Sequence, residues 1–234
     1  MNRGLFFKAM QVTAPVFFGY IAIGIPFGLM LTQAGYPWYL APLMSIIMYA
    51  GAGQYAAVGL FAAGASLPLI ALTTLAVNIR HIVYGLSLSE QFKDTGIWKP
   101  YLIFALTDET YALLTSTSVP PQLHKDRWYA AIAVLNHSYW ILGSSLGALL
   151  GVWIPFSFKG VDFALTALFI VLLIDRLKLS KNPLPALIGA ASASAALIVF
   201  KPGNMLIASL VLGTVFLILL KKPVEHRGKF KTNV

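Results

Sequence analysis

Ala9-Met-Gln-Val-Thr-Ala-Pro15-Val-Phe-Phe-Gly19-Tyr20-Ile-Ala-Ile-Gly24-Ile-Pro26-Phe-Gly28-Leu-Met-Leu31 opens a run that reaches Ile79 without one Asp, Glu, Lys, Arg or His. A soluble domain cannot hide roughly 70 consecutive uncharged residues, whereas a membrane span needs roughly 20 apolar ones. The whole chain is 58% hydrophobic and 11% charged, with a mean hydropathy of +0.77. These figures predict an all-α, polytopic integral membrane bundle. No polar tract is long enough for a soluble domain, so residues 1–234 read as a single transmembrane domain, with 221–234 a basic cytoplasmic tail.

Apolar segments fall near 12–32, 39–63, 67–89, 100–117, 128–152, 160–175, 184–200 and 203–220. Eight transmembrane helices are expected. The last three segments are shorter than about 20 residues, which leaves seven as the alternative count. Arg3 and Lys8 precede the first segment, which is too long for a cleaved signal peptide and reads as a retained span. Positive charge sets the orientation. With the N-terminus inside, Arg3, Lys8, Lys125, Arg127, Arg176, Lys178, Lys181, Lys221, Lys222, Arg227, Lys229 and Lys231 are cytoplasmic, against only Lys93, Lys99, Lys159 and Lys201 outside. The asymmetry predicts both termini in the cytoplasm. The same distribution assigns the high pI to topology and excludes nucleic acid as a partner. Tyr36, Trp38, Tyr39, Trp98 and Trp128 sit near span ends, as an aromatic belt would.

Helix breakers cluster unusually. Pro15, Gly19, Gly24, Pro26 and Gly28 interrupt the first span, and Tyr49-Ala-Gly-Ala-Gly-Gln-Tyr55 leaves the second with little side-chain bulk. Helices broken near the membrane midplane free backbone groups to bind substrate, and such breaks are expected here. Glycines also let helices approach closely, and both readings stand for the second span. For Gly189-Ala-Ala-Ser-Ala-Ser-Ala-Ala196, close packing is the expectation.

Two charged pairs, Arg80-His81 and Asp108-Glu109, lie within otherwise apolar spans. A charge near the bilayer centre costs between roughly 3 and more than 10 kcal/mol, so it marks a polar pathway. Residues equally far from the centre of a short loop between antiparallel helices share a depth, at about 1.5 Å per residue. About the loop near Asp94, Arg80 matches Glu109; about Gln122, Asp108 matches Asn136; about Ala65, Arg80 matches Ala50 and Gly51. One layer therefore collects Gly51, Gly53, Gln54, Asn78, Arg80, His81, Asp108, Glu109, Asn136 and His137 from four spans.

The chemistry of this layer suits a zwitterion. Arg80 or freed backbone N–H groups could hold a carboxylate, with Gly51, Gly53, Gln54, Asn78 and Asn136 completing the substrate site. Asp108 or Glu109 could hold an ammonium or exchange a proton, with His81 and His137 as relays. Each assignment has a structural counterpart. Arg80 with either acid could be a buried ion pair, the histidines could be satisfied hydrogen bonders, and the asparagines could join helices. Two acids and one arginine leave one carboxylate over. Such a group titrates more readily than it stays charged. Cysteine is absent, so no disulfide or thiolate metal site exists, and no metal or cofactor is called for.

The runs Tyr49-Ala-Gly-Ala-Gly-Gln-Tyr-Ala-Ala-Val-Gly-Leu60, Leu72-Thr-Thr-Leu-Ala-Val-Asn-Ile-Arg-His-Ile-Val-Tyr-Gly-Leu-Ser-Leu88 and Leu106-Thr-Asp-Glu-Thr-Tyr111 resemble the AzlC family of branched-chain amino acid exporters. The order and spacing of the three motifs are specific, and the likeness covers most of the chain. The resemblance implies export of leucine, isoleucine, valine and their analogues across the bacterial inner membrane, together with a small membrane subunit of the AzlD type. No nucleotide-binding P-loop is present, so a secondary, proton-coupled transporter is the expected mechanism. The alternative is a carrier for another small zwitterionic or apolar solute. A membrane-embedded enzyme fits less well: no Gly-x-Ser-x-Gly occurs, and Asp108 and Glu109, being adjacent, splay about 100° apart on a helix. A passive channel would need polar stripes along several helices instead of one polar layer.

Overall fold

The computed structural model describes residues 3–62, 64–153, 183–199 and 202–220, with the isolated positions 170, 173, 174 and 177. Among these residues every regular element is helical. Helix α1 (Arg3–Gln33) is followed by α2 (Leu40–Ile47) and α3 (Gly51–Ala62), which share the second span and are split at 48–50. Helices α4 (Leu67–Asn78) and α5 (Arg80–Ser87) are separated by Ile79 alone. Its backbone is still helical, with φ −56° and ψ −26°, so the third span is one interrupted rod. A 3-10 segment, Lys93–Trp98, leads into α6 (Lys99–Phe104) and α7 (Asp108–Ser116), split at 105–107. Helices α8 (Lys125–Trp153), α9 (Leu184–Val199) and α10 (Pro202–Leu219) complete the bundle.

Helical elements stand at seven of the eight predicted spans, and among the described residues two helices, Gly4–Gln33 and Leu67–Ser87, are by length and composition long and apolar enough to cross a membrane. The sixth, 160–175, lies almost wholly outside the described residues, as do Lys159, Arg176, Lys178, Lys181, Lys201 and the tail 221–234. Breaks occur in the second and fourth spans, with a lesser interruption in the third. The first span departs from expectation: α1 runs through Pro15 and Pro26 without a break. Two of its glycines, Gly24 and Gly28, serve another purpose.

That purpose is contact with α8. Gly24 and Gly28 lie four apart on α1, and Gly143, Gly147 and Gly151 lie four apart on α8, so each set forms a bare stripe along one helix face. A Cβ on Gly24 would lie 2.9 Å from the Ser144 nitrogen, and one on Gly143 would lie 2.8 Å from the Tyr20 carbonyl oxygen. On Gly28 or Gly147 it would overlap the backbone of Ser144 or Ile25 outright. The helices therefore touch backbone to backbone. Their order of contact is parallel: Thr13 meets Tyr139, Tyr20 meets Trp140, Gly24 meets Ser144 and Gly151 meets Thr32. Parallel spans joined through a membrane need an odd number of crossings between them, and three predicted spans lie between α1 and α8. Lys8, Lys125 and Arg127 thus lie at one end of the seam.

Two smaller expectations are also settled. In the stripe from Gly189 to Ala196, Ser192 and Ala196 are buried, and Gly213 of α10 packs against Ser192, so this stripe is a helix contact. Trp128 is not an interfacial anchor. It is 2% exposed and belongs to the core, whereas Trp38 and Trp98 are exposed.

The seam gives a direct test. Gly147→Ala or Gly28→Ala should destabilise the protein by about 1–3 kcal/mol, the usual cost of overpacking. Gly19→Ala, whose Cβ meets nothing within 4 Å, should be nearly neutral. Thermal unfolding in detergent, read by intrinsic fluorescence, will separate the three variants.

Candidate functional site

Each break in a helix frees backbone donors and acceptors that lipid cannot satisfy. At the second span the protein supplies the partners itself. The Gln54 N–H donates to the Ala50 carbonyl at 2.8 Å, while the Ala50 N–H donates to Gln54 Oε1 at 3.3 Å. The same Oε1 accepts from Trp140 Nε1 at 2.8 Å, and Gln54 Nε2 donates to Ser45 Oγ at 3.2 Å. Ser45 Oγ then donates to Ser144 Oγ at 2.8 Å. The freed Ser45 carbonyl accepts from His137 Nε2 at 3.0 Å. Because a carbonyl only accepts, Nε2 carries the proton, and Nδ1 accepts from the Tyr101 hydroxyl at 3.1 Å. Gln54 and His137 are thus fully engaged in holding the two half-helices to α8.

The fourth span breaks more simply. Thr107 caps α7 with an extended backbone, φ −86° and ψ 173°, and its hydroxyl accepts from the Thr110 N–H at 3.3 Å. That cap fixes the first turn of α7, which carries both acids of the site. Asn136 Nδ2 donates to Thr110 Oγ1 at 3.0 Å and ties this turn to α8.

Between the breaks lies a cavity of about 50 Å³, lined by residues from α1, the 49–52 segment, α5, the start of α7 and α8. Arg80, His81, Asp108, Glu109 and Gly51 line it, together with Tyr20, Ile23, Tyr49, Thr107 and Trp140. The two acids are treated differently. Arg80 Nη1 lies 2.6 Å from Asp108 Oδ2, with the side chains 28% and 22% exposed, and the Tyr84 hydroxyl donates to Asp108 Oδ1 at 2.6 Å. Glu109 takes no part in that ion pair. Its Oε2 accepts from the Tyr20 hydroxyl at 2.8 Å, and that hydroxyl also meets Thr107 Oγ1 at 2.7 Å. Tyr49 has a left-handed backbone, φ 39°, and stacks on His137 at 4.1 Å. Among the described residues its buried hydroxyl and the Nε of Arg80 have no hydrogen-bond partner.

Of the ten residues expected from sequence, five line this cavity. Gln54, Asn136 and His137 stand behind it as the braces just described. Gly53 faces Asn78, whose amide occupies the space a Cβ would fill, and Asn78 lines a separate, open apolar groove with Met44, Met48 and Phe61. The sequence reading did not single out Tyr20, Tyr49, Thr107 or Trp140. Tyr49 stood inside a quoted motif, and its hydroxyl was the available signal. Tyr20 belongs to α1, whose register against α8 is set by the seam and not by a hairpin loop.

A family profile described as AzlC protein matches residues 15–154, from the body of α1 to the end of α8, and so contains every residue of the cavity. The chain belongs to the AzlC family. It is similar to an uncharacterized membrane protein of Helicobacter pylori, with 40% identity over 94% of this chain and 96% of that protein. It is similar to the branched-chain amino acid transport protein AzlC of Bacillus subtilis, with 34% identity over 94% of this chain and 87% of that protein. The inner membrane protein YgaZ of Escherichia coli is 32% identical over 72% of each chain. No solved structure matches. An AzlC-family chain with these relatives is a membrane protein of a transport family.

The separation of the two acids predicts distinct couplings to Arg80. Arg80→Gln should harm stability more than Arg80→Gln with Asp108→Asn, because the single change removes the cation that faces a partly buried carboxylate. The coupling between Arg80 and Asp108 should be about 1–3 kcal/mol, and that between Arg80 and Glu109 near zero. Double-mutant cycles on thermal stability measure both; equal couplings would refute the assignment.

Proposed function

We propose that this chain is a proton-coupled secondary transporter that exports branched-chain amino acids across the bacterial inner membrane, working with a small AzlD-type membrane subunit. The observation that carries the reading is the unequal treatment of the acids. Asp108 is neutralised by Arg80, whereas Glu109 lines the cavity on a hydroxyl partner and outside that ion pair. A carboxylate so placed in a low dielectric takes up and releases a proton at less cost than it holds a permanent charge. The printed name of the Bacillus subtilis relative supports the substrate class.

The remaining lining suits an amino acid. The Nε–H of Arg80 and the hydroxyl of Tyr49, which have no hydrogen-bond partner among the described residues, offer donors to a carboxylate. Glu109 offers an acceptor to an ammonium, and Ile23, Ala50 and Trp140 supply an apolar wall. Protonation of Glu109 and binding of the ammonium compete for the same oxygen atoms. That competition is the physical basis for exchange of one against the other.

In proteoliposomes an imposed proton gradient should accelerate leucine efflux. Glu109→Gln should abolish the acceleration while sparing counterflow at equal pH, because the glutamine still accepts a hydrogen bond but cannot release a proton. Undiminished gradient-driven transport by a well-folded Glu109→Gln protein would sink the coupling role.

Both termini are placed in the cytoplasm in this reading. The common end shared by Lys8, Lys125 and Arg127 along the α1–α8 seam supports it. A C-terminal reporter should be active in its cytoplasmic form only; periplasmic activity would overturn this orientation.

A further inference from the structure

We infer that Trp140 limits the size of the substrate side chain and so is a specificity-determining residue of the cavity. The inference rests on the amino acid carrier reading above and adds what decides between one amino acid and another.

The argument starts from volume. An apolar cavity that accepts benzene measures about 150 Å³, and a single water needs about 10–15 Å³. The cavity of about 50 Å³ holds a few waters, and a branched aliphatic side chain enters only if part of the wall yields. The polar wall is tied down. Arg80 is paired with Asp108, Tyr20 is held by Glu109 and Thr107, and Thr107 caps α7. Ile23 belongs to the unbroken helix α1, and its carbonyl accepts from the Tyr55 hydroxyl of α3 at 2.6 Å. Tyr49 is stacked on His137, and Trp140, the largest lining side chain, is the one whose ring abuts bare backbone, at Gly51.

Its position is determined at both ends. Nε1 donates to Gln54 Oε1, and the ring meets Tyr20 edge-on at 5.4 Å and Phe27 face-on at 6.1 Å. The far edge of the indole abuts the bare backbone of Gly51, where a Cβ would stand 3.0 Å from Cη2 and 3.3 Å from Cζ2. The ring therefore reaches from α8 to the first residue of α3 and closes one side of the cavity. It can do so only because position 51 has no side chain. A small displacement of this wall admits an isopropyl or isobutyl group, whereas an aromatic side chain would need the indole to leave its hydrogen bond and both stacking partners.

Competition of unlabelled valine, leucine and phenylalanine against labelled leucine counterflow, in proteoliposomes of the full chain, tests the role. In Trp140→Leu the potency of phenylalanine relative to leucine should rise about tenfold or more, the scale on which pocket size discriminates apolar groups. Trp140→Phe should move it the same way by less, and serves where the leucine variant fails to accumulate. Gly51→Ala should weaken leucine, and adding Trp140→Phe should recover part of the loss. An unchanged ranking in the Trp140 variants, or simple additivity of the Gly51 and Trp140 changes, would overturn the inference. Absence of leucine counterflow in the unaltered protein would instead overturn the carrier reading on which it stands.

Discussion

The fold depends on the backbone contact between α1 and α8. Between apolar helices in lipid there is no hydrophobic driving force, because the surrounding chains are as apolar as the side chains; attraction must come from close packing. Gly24 and Gly28 against Gly143, Ser144 and Gly147 provide that closeness. Every other part of the site refers to this pair. The segments on either side of both breaks are braced to α8 through Ser144, Trp140, His137 and Asn136, and Tyr20 brings α1 to the acids.

The second principle is polar satisfaction. Breaking a helix in lipid is costly unless each freed group finds a partner. Gln54 answers this at the 48–50 break by acting as donor and acceptor to both half-helices and to α8. Thr107 answers it at the 105–107 break with an ordinary N-cap. The difference has a functional side. The glutamine junction leaves the cavity lined by backbone and by Tyr49, while the threonine junction presents two carboxylates on the first turn of a helix.

The sequence was most informative where charge is expensive. Arg80, His81, Asp108 and Glu109 could be placed in one layer because each stands out against an apolar background and short loops fix relative depth. Depth alone paired Arg80 with Glu109, but the ion pair falls to Asp108. The two acids are neighbours on a helix, so rotation about the axis decides between them, and loop arithmetic carries no rotational information. Gln54 and His137 were found as members of the layer, yet their hydrogen bonds turn them into braces, since a polar side chain in an apolar span has the same appearance whether it faces a cavity or a backbone carbonyl. Gly24 and Gly28 of α1 mark close packing instead of interruption, and their partners lie more than a hundred residues away. No local pattern could show that.

A seam made of bare backbone also has a mechanical consequence. Helices that meet through interdigitated side chains can slide by small rotamer changes, but α1 and α8 have no side chains at their closest points to absorb a shift. A displacement along the axis would drive Ile25 and Ser144 into neighbouring Cβ atoms before it reached the next pair of glycines. The pair therefore behaves as a fixed pillar. The backbone leaves the helical form instead at 48–50 and 105–107, two joints of only a few residues each, which stand beside that pillar.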